Sequence, residues 1–184
     1  MFDHDYTISG RHATYIKFLA KKNAQDEINS EDMESPKLFS RYIDVYMNAA
    51  VFGLLYNRTA KKDTTSTDRA RIYADAFSTE NANCIFLYKL VMLLEKKSGA
   101  TSEEKLNRAF RFPSQPEKQE EVSQCLELFH DYVRGGIEVM YDHFIDGCQT
   151  QDDYINRSHE VMERFKNEFE GESYEEALTQ MIGI

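Results

Sequence analysis

What the chain lacks narrows it before anything it contains. Its three cysteines, Cys84, Cys125 and Cys148, lie far apart and form no C-x-x-C pair. That number and spacing argue against a disulfide framework or a structural zinc site and fit a reducing cytosol. Tryptophan is absent, the 12% aromatic content being Phe and Tyr, yet 41% of the 184 residues are hydrophobic. This is the composition of a globular chain, long enough to bury a core without metal or disulfide staples. The opening MFDHDYTISG is acidic and has no long apolar run, so no signal peptide is expected there. Only Leu38–Leu55 approaches the length of a membrane span, and Arg41, Asp44 and Asn48 interrupt it. A cytoplasmic protein without membrane association is therefore expected. No H-E-x-x-H, Walker loop, G-x-G-x-x-G fingerprint or G-x-S-x-G elbow occurs, and neither internal repeats nor low-complexity tracts are present. The chain accordingly gives no sign of catalytic machinery, bound metal or cofactor, and it reads as a single domain over 1–184.

Charge of one sign is scarce in one place and abundant in another. The formal net charge is −10, but residues 1–75 balance at 11 basic and 11 acidic groups. Residues 117–184 carry 17 acidic and only 5 basic groups, so the C-terminal third is strongly negative. Such a surplus solubilises, or it docks on a basic partner by speeding encounter and rejecting wrong partners.

Helix punctuation is frequent. Ser35-Pro36 reads as an N-cap followed by proline at the first helical position. Capping-box patterns recur at Thr101-x-x-Glu104, Ser114-x-x-Glu117 and Ser173-x-x-Glu176, with Thr150-x-x-Asp153 a weaker relative. Gly99, Gly147 and Gly171 each follow an apolar-periodic run, where a left-handed residue closes a helix. Between these marks the apolar spacing is three and four. It runs through Leu126, Phe129, Val133, Ile137, Met140 and Phe144, and again through Ile155, Ser158, Met162, Phe165 and Phe169. The expectation is an all-α, multi-helix bundle of about seven or eight helices around a central apolar helix near 36–60. The other helices fall near 10–23, 67–77, 79–98, 102–111, 115–146, 151–170 and 173–182, and the acidic stretch 24–35 reads as a loop. Gly135-Gly136 inside the long 115–146 helix points to close helix packing, with a kink as the alternative.

Three groups of polar residues invite a functional reading. Arg41, Asp44 and Asn48 fall within about a 60° arc of an otherwise apolar helix. They read as a buried polar row that satisfies itself, Arg41 with Asp44 and Asp44 with Asn48. The sharper alternative is a ligand pocket. Arg58, Lys61, Lys62, Arg69 and Arg71 crowd the end of that helix and the polar loop beyond it. Part of this cluster complements the helix dipole, and the rest is a candidate contact for nucleic acid or another anion. Lys96, Lys97, Lys105, Arg108 and Arg111 would extend it if the two regions fold side by side. Finally, His130, Arg134, Glu138 and Asp142 form an i, i+4 row with His143 beside it. This row lacks the Glu-x-x-His repeat of a bundle metal site and is expected to be a solvated, salt-bridged face.

Taken together these features lead to a non-catalytic binding or accessory protein, an adaptor subunit. Its acidic C-terminal third would engage a basic protein partner, with the 58–71 cluster as a nucleic-acid contact. Two alternatives stay open: a small helical enzyme or ligand-binding protein using Arg41, Asp44 and Asn48, and an acidic inhibitor that mimics nucleic acid.

Overall fold

A computed structural model of the chain describes residues 1–21 and 37–169. The expected loop 24–35, the Ser35-Pro36 cap, Gly171 and the helix at 173–182 with its Ser173 capping box lie outside the described residues. Among the described residues the structure is predominantly helical, with seven α-helices and one small sheet, in agreement with the expected helical bundle. The elements run β1 (Tyr6–Ser9), α1 (Arg11–Leu19), α2 (Tyr42–Leu55), β2 (Arg69–Ile72), α3 (Ala74–Thr79), α4 (Asn81–Leu94), α5 (Ser102–Leu106), α6 (Gln119–Phe144) and α7 (Gln151–Phe169). One π turn at Asn107–Arg111 and two short 3-10 turns carry the chain from α5 into α6.

The long helix α6 is the axis, about 39 Å at 1.5 Å per residue. Every residue from Phe129 to Met140 is buried, so the middle of this helix is enclosed on all sides. Helix α2 packs most tightly on it, because both helices are stripped to backbone where they cross. A Cβ on Gly53 would overlap the Tyr132 carbonyl, and one on Gly136 would overlap the Ala49 carbonyl. One on Gly135 would strike the Arg58 carbonyl. The Gly135-Gly136 pair thus serves close packing, and α6 runs unbroken through it. Tyr46, Tyr88, Phe77 and Phe129 fill the centre, their rings meeting edge-on or tilted, and Tyr132 is fully buried as well.

Two expected helices are corrected. The one placed at 67–77 is instead strand β2 followed by the short α3. Arg69-Ala70-Arg71-Ile72 alternates exposed and buried, and it pairs antiparallel with β1, Tyr6 opposite Ile72 and Ser9 opposite Arg69. Four residues are too few to show a period, and the pairing strand lies far away in sequence. The helix placed at 36–60 spans only Tyr42–Leu55. Before it, Phe39 bridges back to Ala20, its amide bonding the Leu19 carbonyl at 3.0 Å. After it, Asn57 takes a left-handed φ of 47° and the Arg58 amide closes on the Gly53 carbonyl at 2.8 Å.

The caps divide similarly. Thr101 and Glu104 form the full reciprocal capping box of α5. Thr150 and Asp153 also form one, Asp153 Oδ2 taking the Thr150 amide at 2.8 Å and Thr150 Oγ1 the Asp153 amide at 3.2 Å. Ser114 does not cap α6. It belongs to a 3-10 turn, and α6 begins after Lys118 without a side-chain cap. Gly99 and Gly147 both adopt the expected positive φ, 66° and 78°.

Candidate functional site

The row expected to be a solvated face on α6 is interior. His130, Asp131, Arg134 and Glu138 are all buried, and of that group only Asp142 is exposed. What covers them comes from the other end of the chain: β1, the start of α1, and the extended segment 58–63 that leaves α2 and crosses α6.

Each buried charge finds its complement there. Glu138 Oε1 accepts from Arg11 Nη2 at 2.6 Å and from His12 Nε2 at 3.0 Å. Its Oε2 accepts from Arg58 Nε at 3.2 Å and Nη2 at 3.0 Å. Arg134 donates to the Ala60 carbonyl at 2.9 Å, the Tyr6 hydroxyl at 3.0 Å, Glu127 at 2.6 Å and Asp131 at 2.5 Å. Asp131 also receives Lys61 Nζ at 2.5 Å, and its carbonyl takes the Ala60 amide at 2.9 Å. His130 stacks on the Tyr6 ring, centroids 4.0 Å apart, and meets the Tyr46 hydroxyl at 3.0 Å. Burial pushes the His130 pKa down to about 3, with Arg134 adding to the effect. The Tyr6 hydroxyl is pushed up to about 12, again chiefly by burial.

His12 resembles half of a catalytic dyad but is closed. Burial lowers its pKa against the opposing pull of Glu138. With Nε2 turned to the carboxylate, Nδ1 is buried and has no hydrogen-bond partner. His12 is fully buried and Glu138 is 5% exposed. The arrangement ties three elements to α6 by charge.

The residues singled out from the sequence fare unevenly. Of the basic cluster, Arg58 and Lys61 lie over α6 on Glu138 and Asp131 as above. Arg69 and Arg71 belong to the outer face of β2, where Arg69 bonds the Ser66 and Asp68 carbonyls and Arg71 pairs with Asp5. Lys62 is exposed and has no ion-pair partner among the described residues. The five therefore do not converge on one ligand. Arg41, Asp44 and Asn48 are not a buried row either: Arg41 and Asp44 are half-buried and Asn48 is exposed. Arg41 grips Asp44 at 2.6 and 3.1 Å and also Glu80 at 2.9 Å. Asn48 bonds the Asp44 backbone carbonyl at 2.8 Å instead of its carboxylate. Asp44 and then Glu80 raise the Arg41 pKa, and Arg41 holds that of Glu80 down. The row is a clamp between the starts of α2 and α4, and Glu80 is its unforeseen third member.

Helix α7 departs from its expected packing by about a quarter turn. Tyr154 and Val161 are buried, and Phe165 meets the Phe52 ring at 5.7 Å. Ile155 and Met162, placed by their spacing on the core stripe, are 60% and 71% exposed. A groove of about 620 Å³ opens between the N-terminus, α4 and the turns before α6, lined in part by Tyr88, Phe110, Phe112 and Val122. Among the described residues no helix is long and apolar enough to cross a membrane, and no group of three or more His, Cys, Asp or Glu could hold a metal ion. Compared with family models, curated proteins and solved structures, the chain matches none.

Proposed function

We propose that the chain is a non-catalytic binding subunit, an adaptor that docks a basic protein partner along α7. The observation that carries this reading is the apolar sector of α7, which is wider than the face the bundle buries. Ile155 and Met162 are seven residues apart and thus within about 20° of one line on the helix. They stand exposed beside that face; at 100° per residue Lys166 and His159, then Asp152 and Glu163, border them on the solvent side, while Asp153 and Glu160 lie round the helix. Two large apolar anchors in a polar rim are what a helix offers to a partner's groove. Asp152 and Glu163 on that border, and the surplus of 17 acidic over 5 basic groups in residues 117–184, favour a basic counterpart. Two acids of the negative C-terminal third, Asp131 and Glu138, are turned inward onto Lys61, Arg58 and Arg11. That leaves less carboxylate facing outward for a nucleic-acid mimic and puts the weight on α7.

A photo-crosslinking residue at position 155 of the full chain, irradiated in its native cell, should trap one partner with a basic surface. The purified pair should then lose at least about tenfold in affinity in Ile155→Lys/Met162→Lys. Both sites are exposed, so the melting temperature should not move. No crosslink, or a double variant that binds its crosslinked partner as well as the wild type does, would reject the reading.

A further inference from the structure

Two basic segments separated in sequence follow the ends of two neighbouring helices, α2 and α4. Tyr132, fully buried on α6, turns its hydroxyl to Asn57 Oδ1 at 3.4 Å, just past the end of α2. Lys96 and Lys97 lie just past the end of α4, which packs on α2; both helices are 14 residues long and Arg41 joins their starts through Glu80. The ends of α2 and α4 are thereby set side by side. Arg58, Lys61 and Lys62 follow the first end, and Lys96 and Lys97 follow the second.

The charges here are layered. The Glu138 and Asp131 side chains are only 7% and 6% exposed, whereas their partners Arg58, Lys61 and Arg11 are 55%, 86% and 58% exposed. The carboxylates form an inner layer that holds the cations in place, and the cations form the outer layer. Lys62, Lys96 and Lys97 are exposed and have no ion-pair partner among the described residues. Glu127 is a third, outward carboxylate, and it is engaged by Arg134 at 2.6 Å. Asp63, half-buried beside Lys62 and bonded to the Arg11 amide, and the exposed Asp142 near Arg58 are a fourth and a fifth. With Arg134 counted, seven cations stand against five carboxylates on this surface, a narrow local excess on a chain that carries −10. At 0.1 M salt, charges more than about 10 Å away are largely screened, so the local excess decides what binds.

We propose that this surface binds the phosphate backbone of duplex nucleic acid. The cations are spread over two helix ends and the start of α1, and do not converge on a point. Such a spread suits a repeating anion better than a single phosphate, and a duplex supplies one charge per about 1.7 Å of its axis. One exposed ring, that of Tyr56, stands beside Arg58, with its hydroxyl held by His143 at 3.0 Å; a lone ring stacks no run of bases, so single strands are favoured less, and no base is read. The inference is independent of the α7 reading, because no residue it uses lies on α7.

The test is anisotropy of a short labelled duplex DNA titrated with the full chain, repeated across salt. With roughly four to six phosphates neutralised, affinity should fall on the order of 10²- to 10³-fold between about 50 and 200 mM salt. Lys62→Glu/Lys96→Glu/Lys97→Glu should bind at least about tenfold more weakly at the lower salt and flatten the dependence by nearly three counterions. Its melting temperature should match the wild type, since these side chains support nothing in the fold. Lack of binding at low salt, or a triple variant that binds like the wild type, overturns the proposal. So does competition by inorganic phosphate as effective as by DNA of equal phosphate content, or a single strand bound more tightly than the duplex.

Discussion

Arg58 and Glu138 stand 80 positions apart, and two N–H groups of the arginine converge on one carboxylate oxygen, at 3.2 and 3.0 Å. The other oxygen holds Arg11 and His12. One side chain on α6 therefore fastens both the segment leaving α2 and the start of α1. A solvated row on the same helix face would fasten neither.

Glu138→Gln should accordingly be strongly destabilising. It leaves two arginines without their counter-charge and buried His12 without its charged acceptor, and breaking a buried pair costs about 3–5 kcal/mol. Both arginines are about half exposed, which places the loss toward the lower figure. For a chain of this size about 3 kcal/mol lowers the melting temperature by roughly 6–12 °C. A shift of a degree or two in calorimetry would mean that the cluster is solvated after all.

Gly136→Ala sets two effects of opposite sign against each other. Helix propensity alone favours alanine by about 1 kcal/mol. The new methyl, however, overlaps the Ala49 backbone carbonyl, which cannot rotate away as a side chain can. Overpacking of this kind costs about 1–3 kcal/mol, so the net change should be destabilising. Urea denaturation showing Gly136→Ala to be more stable than the wild type would refute the backbone contact between α2 and α6.

Stability should fall as the solution is acidified below neutrality. His130 has its folded pKa lowered to about 3 from an ordinary 6.5, and that of His12 is lowered as well. Between those values the unfolded chain binds more protons than the folded one, so unfolding becomes easier as pH drops. Each histidine contributes up to about 1.4 kcal/mol per pH unit within its window. Below about pH 4.5 the lowered carboxyls of Glu80 and Asp68 add to the loss as they protonate. Denaturation midpoints measured from pH 7 to pH 4.5 should slope downward, and His130→Gln should remove part of that slope. A profile with no slope across that range would contradict both buried histidines.

Asp44→Ala should be mild. A buried Asp44 would cost several kcal/mol to remove, but Arg41 and Asp44 are half-buried, and Arg41 keeps Glu80 when Asp44 is gone. A pair of this exposure is worth about 1 kcal/mol or less. Thermal melts separate the two cases. A loss of several kcal/mol would restore the buried row.

How much of this was legible in the chain depends on how far each cause reaches along it. The sequence by itself determined the helical class, the capping boxes at Thr101 and Thr150, and the left-handed closures at Gly99 and Gly147, while the choice between close packing and a kink at Gly135-Gly136 waited for the Ala49 and Arg58 carbonyls. The class, the boxes and the closures rest on contacts within four residues or on one helix's own period, so they are written locally. Only the tertiary structure decided that Arg69–Ile72 is a strand, because its partner Tyr6–Ser9 lies some 60 positions earlier and four residues carry too little periodicity. The same holds for the charged row on α6. Spacing places His130, Arg134 and Glu138 on one face, but which face is covered depends on where β1, Arg11 and the 58–63 segment come to rest. A charged helix face looks the same in sequence whether water or buried counter-charges solvate it, and long-range packing alone chooses between them.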